Sequence, residues 1–243
     1  MFDKPEDGPA REAQPRDVKP RAVRPRHAAT LILTRPRRAG APEILMGKRS
    51  AAHRFMPNKF VFPGGKVDIA DGRLTHDTDL RPEVLARVAQ HGGERLARAL
   101  ARAAIRETFE EAGLLLGRPS ASPRTSNAPG WSGFFGAGFE PDLSAVTYVA
   151  RAITPPYRDR RFDTRFFIAD AAALAEPPEV ARAASGELLE LAWVSLDEAR
   201  NLDLPTITRA VLDEIESRSD DPYGDRDVPF FRFANGKPLW SRI

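Results

Sequence analysis

The chain has 243 residues, 37 basic against 34 acidic side chains, a net charge of only +3 and no cysteine. That length suits one sizeable core carrying insertions or a tail, and the missing cysteine excludes disulfides, thiolate zinc sites and thiol catalysis. No basic stripe interleaved with aromatics points to nucleic acid. No apolar run reaches the ~18 residues of a membrane span, and the start has no hydrophobic signal core, so a soluble protein in a reducing, cytoplasmic setting is expected.

Residues 1 to 27 hold five prolines and twelve charged residues with few aliphatic side chains. They bury too little to offset the entropy of ordering and read as a disordered tail. The folded domain is expected over 28–243. Ala28 to Thr34 and Glu43 to Lys48 read as two strands joined by the basic turn Arg35 to Pro42. Phe60-Val61-Phe62 then runs into Pro63-Gly64-Gly65. Helical patterning follows at about 79–91 and more strongly at 94–113, where Leu96, Ala99, Leu100, Ala103, Ala104 and Phe109 form an apolar stripe and Gly113 supplies the stop.

Residues 117–142 are rich in Gly, Pro, Ser and Asn and read as one long loop. Its Trp131, Phe134 and Phe135 are expected to pack in the core or in a homodimer contact rather than to stack on an adenine. Strand-like runs return at 144–152, 163–169 and 187–194. Alternation puts Phe162, Thr164 and Phe166 on one face of the middle run, and Asp163, Arg165 and Phe167 on the other. Ser195-Leu196-Asp197-Glu198 has the form of a capping box and starts a helix, and 205–218 reads as another. Strands at both ends with helices between them predict an α/β sandwich.

The chemistry concentrates in Arg106-Glu107-Thr108-Phe109-Glu110-Glu111-Ala112-Gly113-Leu114. Glu107, Glu110 and Glu111 stand at i, i+3 and i+4, on one helix face, where like charges repel by roughly 0.2–0.5 kcal/mol per pair. Such a face suits a cation. Clustered carboxylates without histidine or cysteine are hard ligands, fitted to Mg²⁺ or Mn²⁺, and Mg²⁺ commonly bridges carboxylates to substrate phosphates. Arg106 is placed to orient a glutamate through its planar fork. The same residues are also the ordinary charged surface of a soluble helix.

With the upstream Pro63-Gly64-Gly65, this stretch resembles the Nudix hydrolase family, whose signature is G-x5-E-x7-R-E-U-x-E-E-x-G-U with U aliphatic. Arg106, Glu107, Glu110, Glu111, Gly113 and Leu114 match every fixed residue of the second half, and Thr108 departs at a U position. The resemblance implies an α/β/α sandwich with a mixed sheet, Mg²⁺ or Mn²⁺ on Glu107, Glu110 and Glu111 with Arg106 orienting them, and hydrolysis of a small-molecule nucleoside diphosphate derivative. Membrane and nucleic acid are not expected partners. The first half of the signature is stretched: Gly65 and Arg106 are 41 positions apart instead of 14, an insertion of about 27 residues placed at about 72–94. The G-x5-E glutamate has no direct counterpart. Counting forward from Gly65 reaches Asp71, and Glu94 is the other candidate.

Phe55 to Asp68, followed by Ala70-Asp71, and later Thr154-Pro155 with Arg161 to Phe167, resemble the branch of that family that contains the peroxisomal coenzyme A diphosphatase. That branch also carries an insertion before the catalytic helix. Arg49-Ser50 and Arg54 echo the R-S-x-x-L-R-x-x-x-G element of coenzyme A pyrophosphatases, with His53 in place of its leucine and Asn58 in place of its glycine. The resemblance therefore points to coenzyme A or an acyl derivative. ADP-ribose, a dinucleotide or a nucleoside triphosphate is the alternative substrate, and a non-catalytic nucleotide sensor the alternative of another class. Arg49 and Arg54, with Lys48 and Lys59, are candidate contacts for substrate phosphates, and Gly64 and Gly65 let the backbone approach the site. Glu187 and Glu190 are candidates for a base outside the helix.

Overall fold

A computed structural model of the chain describes residues 23–36, 42–52, 56–75, 78–121, 125–128, 130–177 and 185–243. The expected tail falls outside them up to residue 22, as do His53 and Arg54. The first strand, β1 (Arg26–Arg35), starts two residues earlier than the sequence suggested and sits near the middle of the sheet. Its alternation decides the architecture: Leu31 and Leu33 enter one apolar core and Ile32 the other, so both faces of the strand are covered.

Around β1 are β2 (Glu43–Arg49), β3 (Phe60–Val61) and β4 (Gly64–Lys66). Helices α1 (Pro82–Ala89) and α2 (Gly93–Ala112) follow. Then come β5 (Gly117–Pro119), α3 (Trp131–Gly136) and β6 (Phe139–Pro141). The later elements are β7 (Thr147–Ile153), β8 (Phe162–Asp170), β9 (Leu188–Ser195), α4 (Leu196–Arg200), α5 (Thr206–Glu216), β10 (Pro229–Ala234) and β11 (Lys237–Arg242).

The main sheet runs β11-β10-β7-β8-β1-β2-β3, with β4 paired to β1 and β9 to β2. It is mixed: β1 lies parallel to β8 and β7 parallel to β10, whereas β1–β2, β1–β4, β2–β9 and β7–β8 are antiparallel. α1, α2 and α3 contribute to the core on one face, α4 and α5 to the core on the other. This is the expected α/β/α sandwich. β8 alternates as predicted, with Phe166 and Ile168 in one core and Phe167 and Ala169 in the other. Among the described residues no helix is long and apolar enough to cross a membrane.

α2 forms because its buried stripe is mostly alanine with Leu100 and Ile105, good helix formers that also allow close approach to the sheet. It ends where Gly113 takes the left-handed conformation, φ 67°, and donates its N–H to the Phe109 carbonyl at 2.9 Å. Thr108, the odd residue at an aliphatic position, is fully buried and returns its hydroxyl to the Ala104 carbonyl at 2.9 Å, so its polarity is satisfied inside the helix. The capping box at Ser195 is present, with Glu198 returning to the Ser195 backbone.

Two expectations are corrected, and one hairpin is added to them. Residues 117–142 are not one loop: β5 and β6 pair as a small second sheet, and α3 lies between them. Proline and glycine hid these elements, which are held by tertiary contacts. The strand expected over 144–152 begins at Thr147, because Leu143–Ala145 is a 3-10 turn capped by the Asp142 side chain. The C-terminal hairpin β10–β11 was not expected, although Asn235-Gly236, with φ of 51° and 75°, is a strong two-residue hairpin signal.

Candidate active site

The carboxylate helix packs on the glycine turn. β4 pairs with β1 so that Gly64 faces Thr30 and Gly65 faces Ala29, which presents the glycine backbone to the last turns of α2. The Gly64 N–H donates to Glu111 Oε2 at 2.9 Å. A side chain on Gly65 would place its Cβ 2.4 Å from the Glu107 carboxyl carbon. Gly65 thus leaves room for Glu107 where it stands, whereas a Cβ on Gly64 would meet the Ala29 carbonyl and Thr30 of β1.

Arg106 organises the rest. Its Nε and Nη2 donate to Asp71 Oδ1 and Oδ2 at 2.9 and 3.0 Å, Nη2 also reaches the Lys66 carbonyl at 3.1 Å, and Nη1 donates to Glu107 at 2.8 Å and Glu110 at 2.6 Å. All five guanidinium hydrogens are thus used. Asp71 stands in the G-x5-E position as counted forward from Gly65, and it is the partner the sequence left open. It is fully buried and accepts four hydrogen bonds, the other two from the Trp131 indole and the Asp68 N–H, both at 2.8 Å. Glu94, the other candidate, pairs with Arg98 on the surface instead. Arg102, buried one turn earlier, donates to the Asp71 carbonyl at 2.7 Å and fixes that turn.

Burial pushes Glu111 up to about 8, with the charges of Glu107 and Glu187 adding to it; the Gly64 N–H and Arg49 oppose the rise. Burial likewise pushes Glu107 to about 7, opposed by Arg106 and reinforced by Glu110 and Glu187. Glu187 therefore adds to the cost of ionising both Glu107 and Glu111, and the Glu107 charge adds to that of Glu111. Arg49 is held below the ordinary arginine range by burial, while Glu111, Glu187 and Glu107 pull it back up, so it stands beside the same carboxylates.

The predicted site residues divide accordingly. Glu107, Glu111, Gly64, Gly65 and Arg49 converge. Glu110 is turned onto Arg106, with its side chain 32% exposed. Lys48 pairs with Glu190 at 3.1 Å and Lys59 with Asp203, so these two are ion-paired rather than poised for phosphate. The partner in that first pair follows a β-bulge: Met46 faces Ala192 but Lys48 faces Leu189, and Glu190 takes φ 52°. Arg54 lies outside the described residues. Trp131 is core, as expected, but its indole N–H on Asp71 was not foreseen, because the two residues are 60 positions apart.

The donor set suits a hard divalent cation: the buried carboxylate of Glu111, the half-buried one of Glu107, a third at the rim, and no nitrogen or sulfur ligand. Among the described residues no three acidic or histidine side chains are already gathered around one point. Arg106 draws Glu107 and Glu110 toward itself instead.

No protein-family model matches the chain. It is 33% identical over 138 residues to a Gallus gallus protein named acyl-coenzyme A diphosphatase NUDT19, across 43% of this chain and 35% of that protein. It is 27% identical over 167 residues to putative nudix hydrolase 7 of Caenorhabditis elegans, across 64% and 47% respectively. The chain thus spans less than half the length of either curated relative. The crystal structure of a NUDIX hydrolase from Alicyclobacillus acidocaldarius superposes with a TM-score of 0.60 at 26% identity, over 83% of this chain and 94% of that one. With the Arg106 to Leu114 helix seated on Gly64 and Gly65, and Asp71 holding the signature arginine, the chain has the Nudix fold and is similar in sequence and structure to Nudix hydrolases.

Proposed function

We propose that the protein is a divalent-metal-dependent hydrolase of a nucleoside diphosphate derivative, with coenzyme A or an acyl-coenzyme A as its substrate. The observation that carries the reaction is the pair of buried Glu111 and half-buried Glu107 against the glycine turn, with pKa values pushed to about 8 and 7. A fold that brings like charges together in a dry place leaves them to be neutralised by protons or by a cation. Mg²⁺ or Mn²⁺ bound there would polarise a phosphoryl oxygen and acidify a water for in-line attack on phosphorus.

The protein's own part is positioning. Glu107 and Glu111 would hold the cation, giving up their protons to do so. Arg106, saturated by Asp71, keeps Glu107 and Glu110 on the same side of the helix. Arg49 offers a cation at the carboxylate rim for a diphosphate oxygen. Glu187, exposed in the turn before β9 and close enough to raise Glu107 and Glu111, accepts the proton of the attacking water. Glu190 is committed to Lys48 and has no such role. Glu187→Gln is therefore expected to lower kcat about a hundredfold, while Glu190→Gln leaves kcat unchanged. Equal losses in the two variants would remove Glu187 from the mechanism.

Support for coenzyme A comes from the stretch shared with the chicken acyl-coenzyme A diphosphatase, the insertion before the catalytic helix, and Arg49 at the site. The experiment is to incubate the protein with Mg²⁺ and coenzyme A, acetyl-coenzyme A, ADP-ribose, NADH or a diadenosine polyphosphate, and to separate the products. Phosphopantetheine and 3′,5′-ADP are expected from coenzyme A. Rapid turnover of ADP-ribose with none of coenzyme A would overturn the substrate and keep the reaction. No turnover of any member would return the chain to the sensor reading.

A further inference from the structure

The functional reading leaves Trp131 unused, and Trp131 is where the segment between β5 and β6 meets the catalytic helix. Its side chain is fully buried, and its indole Nε1 donates to Asp71 Oδ1 at 2.8 Å. That same oxygen accepts Arg106 Nε at 2.9 Å, and Arg106 Nη1 holds both Glu107 and Glu110. One line of contacts runs from the indole to two of the carboxylates through groups with no spare donor. The rings around it are rigid: Trp131 stacks on Phe135 with centroids 5.6 Å apart and meets Phe134 edge-on at 5.4 Å, and Phe134 meets Phe109 of α2 at 5.3 Å. The residue before it, Gly130, takes φ 81°, and a Cβ there would lie 2.3 Å from Glu110 Oε1 and 2.7 Å from Arg106 Cδ. The backbone of this segment is thus pressed onto the side chains it helps to hold.

Resting on the functional reading above, we propose that Trp131 is a positioning residue for the metal-binding glutamates, acting through Asp71 and Arg106. A tryptophan needed for packing alone would be satisfied by any buried acceptor. Here the acceptor is the carboxylate that fixes the signature arginine, supplied by a segment more than twenty residues beyond that arginine. Replacing the indole with a phenyl ring removes one of the four donors to Asp71 and leaves a gap beside it. The Asp71–Arg106 pair then shifts as a unit, and Glu107 and Glu110 move with Arg106 Nη1.

The test is Mn²⁺ binding to the full-length protein, followed by the loss of the free Mn²⁺ paramagnetic resonance signal, together with steady-state kinetics on a cleaved diphosphate. Trp131→Phe is expected to raise the Mn²⁺ dissociation constant about three- to tenfold, the size of one hydrogen bond's net contribution, and to lower kcat with KM unchanged. Asp71→Asn, which keeps the indole's acceptor but not the charge facing Arg106, is expected to move both quantities further in the same direction, and it carries the test if Trp131→Phe fails to fold. A lower melting temperature with unchanged Mn²⁺ affinity and kcat would make Trp131 merely structural and overturn the proposal. Absence of Mn²⁺ binding to the wild-type protein would overturn the functional reading and this proposal together.

Discussion

Glu111→Gln is expected to lower kcat by roughly a thousandfold, about 4 kcal/mol of transition-state stabilisation, while making the metal-free protein more stable at pH 8. The two halves of that result have one cause. Glu111 is 4% exposed, and burial lifts its pKa to about 8, well above the ordinary 4.5. Between pH 4.5 and 8 the folded protein keeps a proton that the unfolded chain has released, so stability falls as pH rises through that window. Ionised Glu111 thus works against the metal-free fold by an amount on the order of 4 kcal/mol at pH 8. Glutamine cannot ionise, yet its amide oxygen still accepts the Gly64 N–H. The measurement is thermal unfolding of both proteins from pH 5 to 8 in chelator, beside turnover with Mg²⁺. The difference between variant and wild type reports Glu111 together with its coupling to Glu107, because His27 and His91, lowered by burial, are common to both. Retained turnover, or a wild type and variant with parallel pH curves, would contradict the account.

Asp163→Ala is expected to destabilise the fold by about 3–5 kcal/mol, a large part of a typical domain's 5–15 kcal/mol. Asp163 accepts Arg151 Nε and Nη2 at 2.9 Å each and lies 2.8 Å from Arg165 Nη1, and all three residues are buried. Burial alone would raise its pKa, but the hydrogen bonds from Arg151 and the charge of Arg165 hold it below the usual carboxylate range. Without it, two guanidinium groups share the interior with no acid between them. Arg165 would keep no acidic partner, only contacts such as the His91 carbonyl at 3.1 Å and the His27 ring at 3.5 Å. Because the pair lies on β7 and β8, its loss strikes the middle of the sheet. Urea unfolding of Asp163→Ala and Asp163→Asn against wild type measures the effect, with the asparagine intermediate. A melting temperature equal to wild type would show that the arginines are not held by this acid.

What could be read from the chain without its fold was local. Gly113 ends α2 and Ser195 caps α4 because both signals act within four residues. The carboxylate helix was legible since Glu107, Glu110 and Glu111 share a face whatever surrounds them. β4 was not, because its Gly64-Gly65-Lys66 has no strand pattern and owes its pairing to β1. Asp71 lay at the correct spacing from Gly65, yet its role depends on Arg106, 35 residues away, across an insertion that carries α1. The separation of Glu187 from Glu190 required the bulge opposite Gly47, and the indole of Trp131 required the packing of α3 on α2. In each case the missing information was a long-range contact, not a residue type.

The central claim, that the Glu107/Glu111 pair is a divalent-metal site, is tested most directly by calorimetric titration of Mn²⁺ into metal-free protein at pH 7 in two buffers of different ionisation enthalpy. Because both glutamates hold protons near neutrality, the account predicts saturable binding accompanied by proton release, both lost in the Glu107→Gln/Glu111→Gln double variant. Binding that releases no protons, or that survives in the double variant, would contradict it.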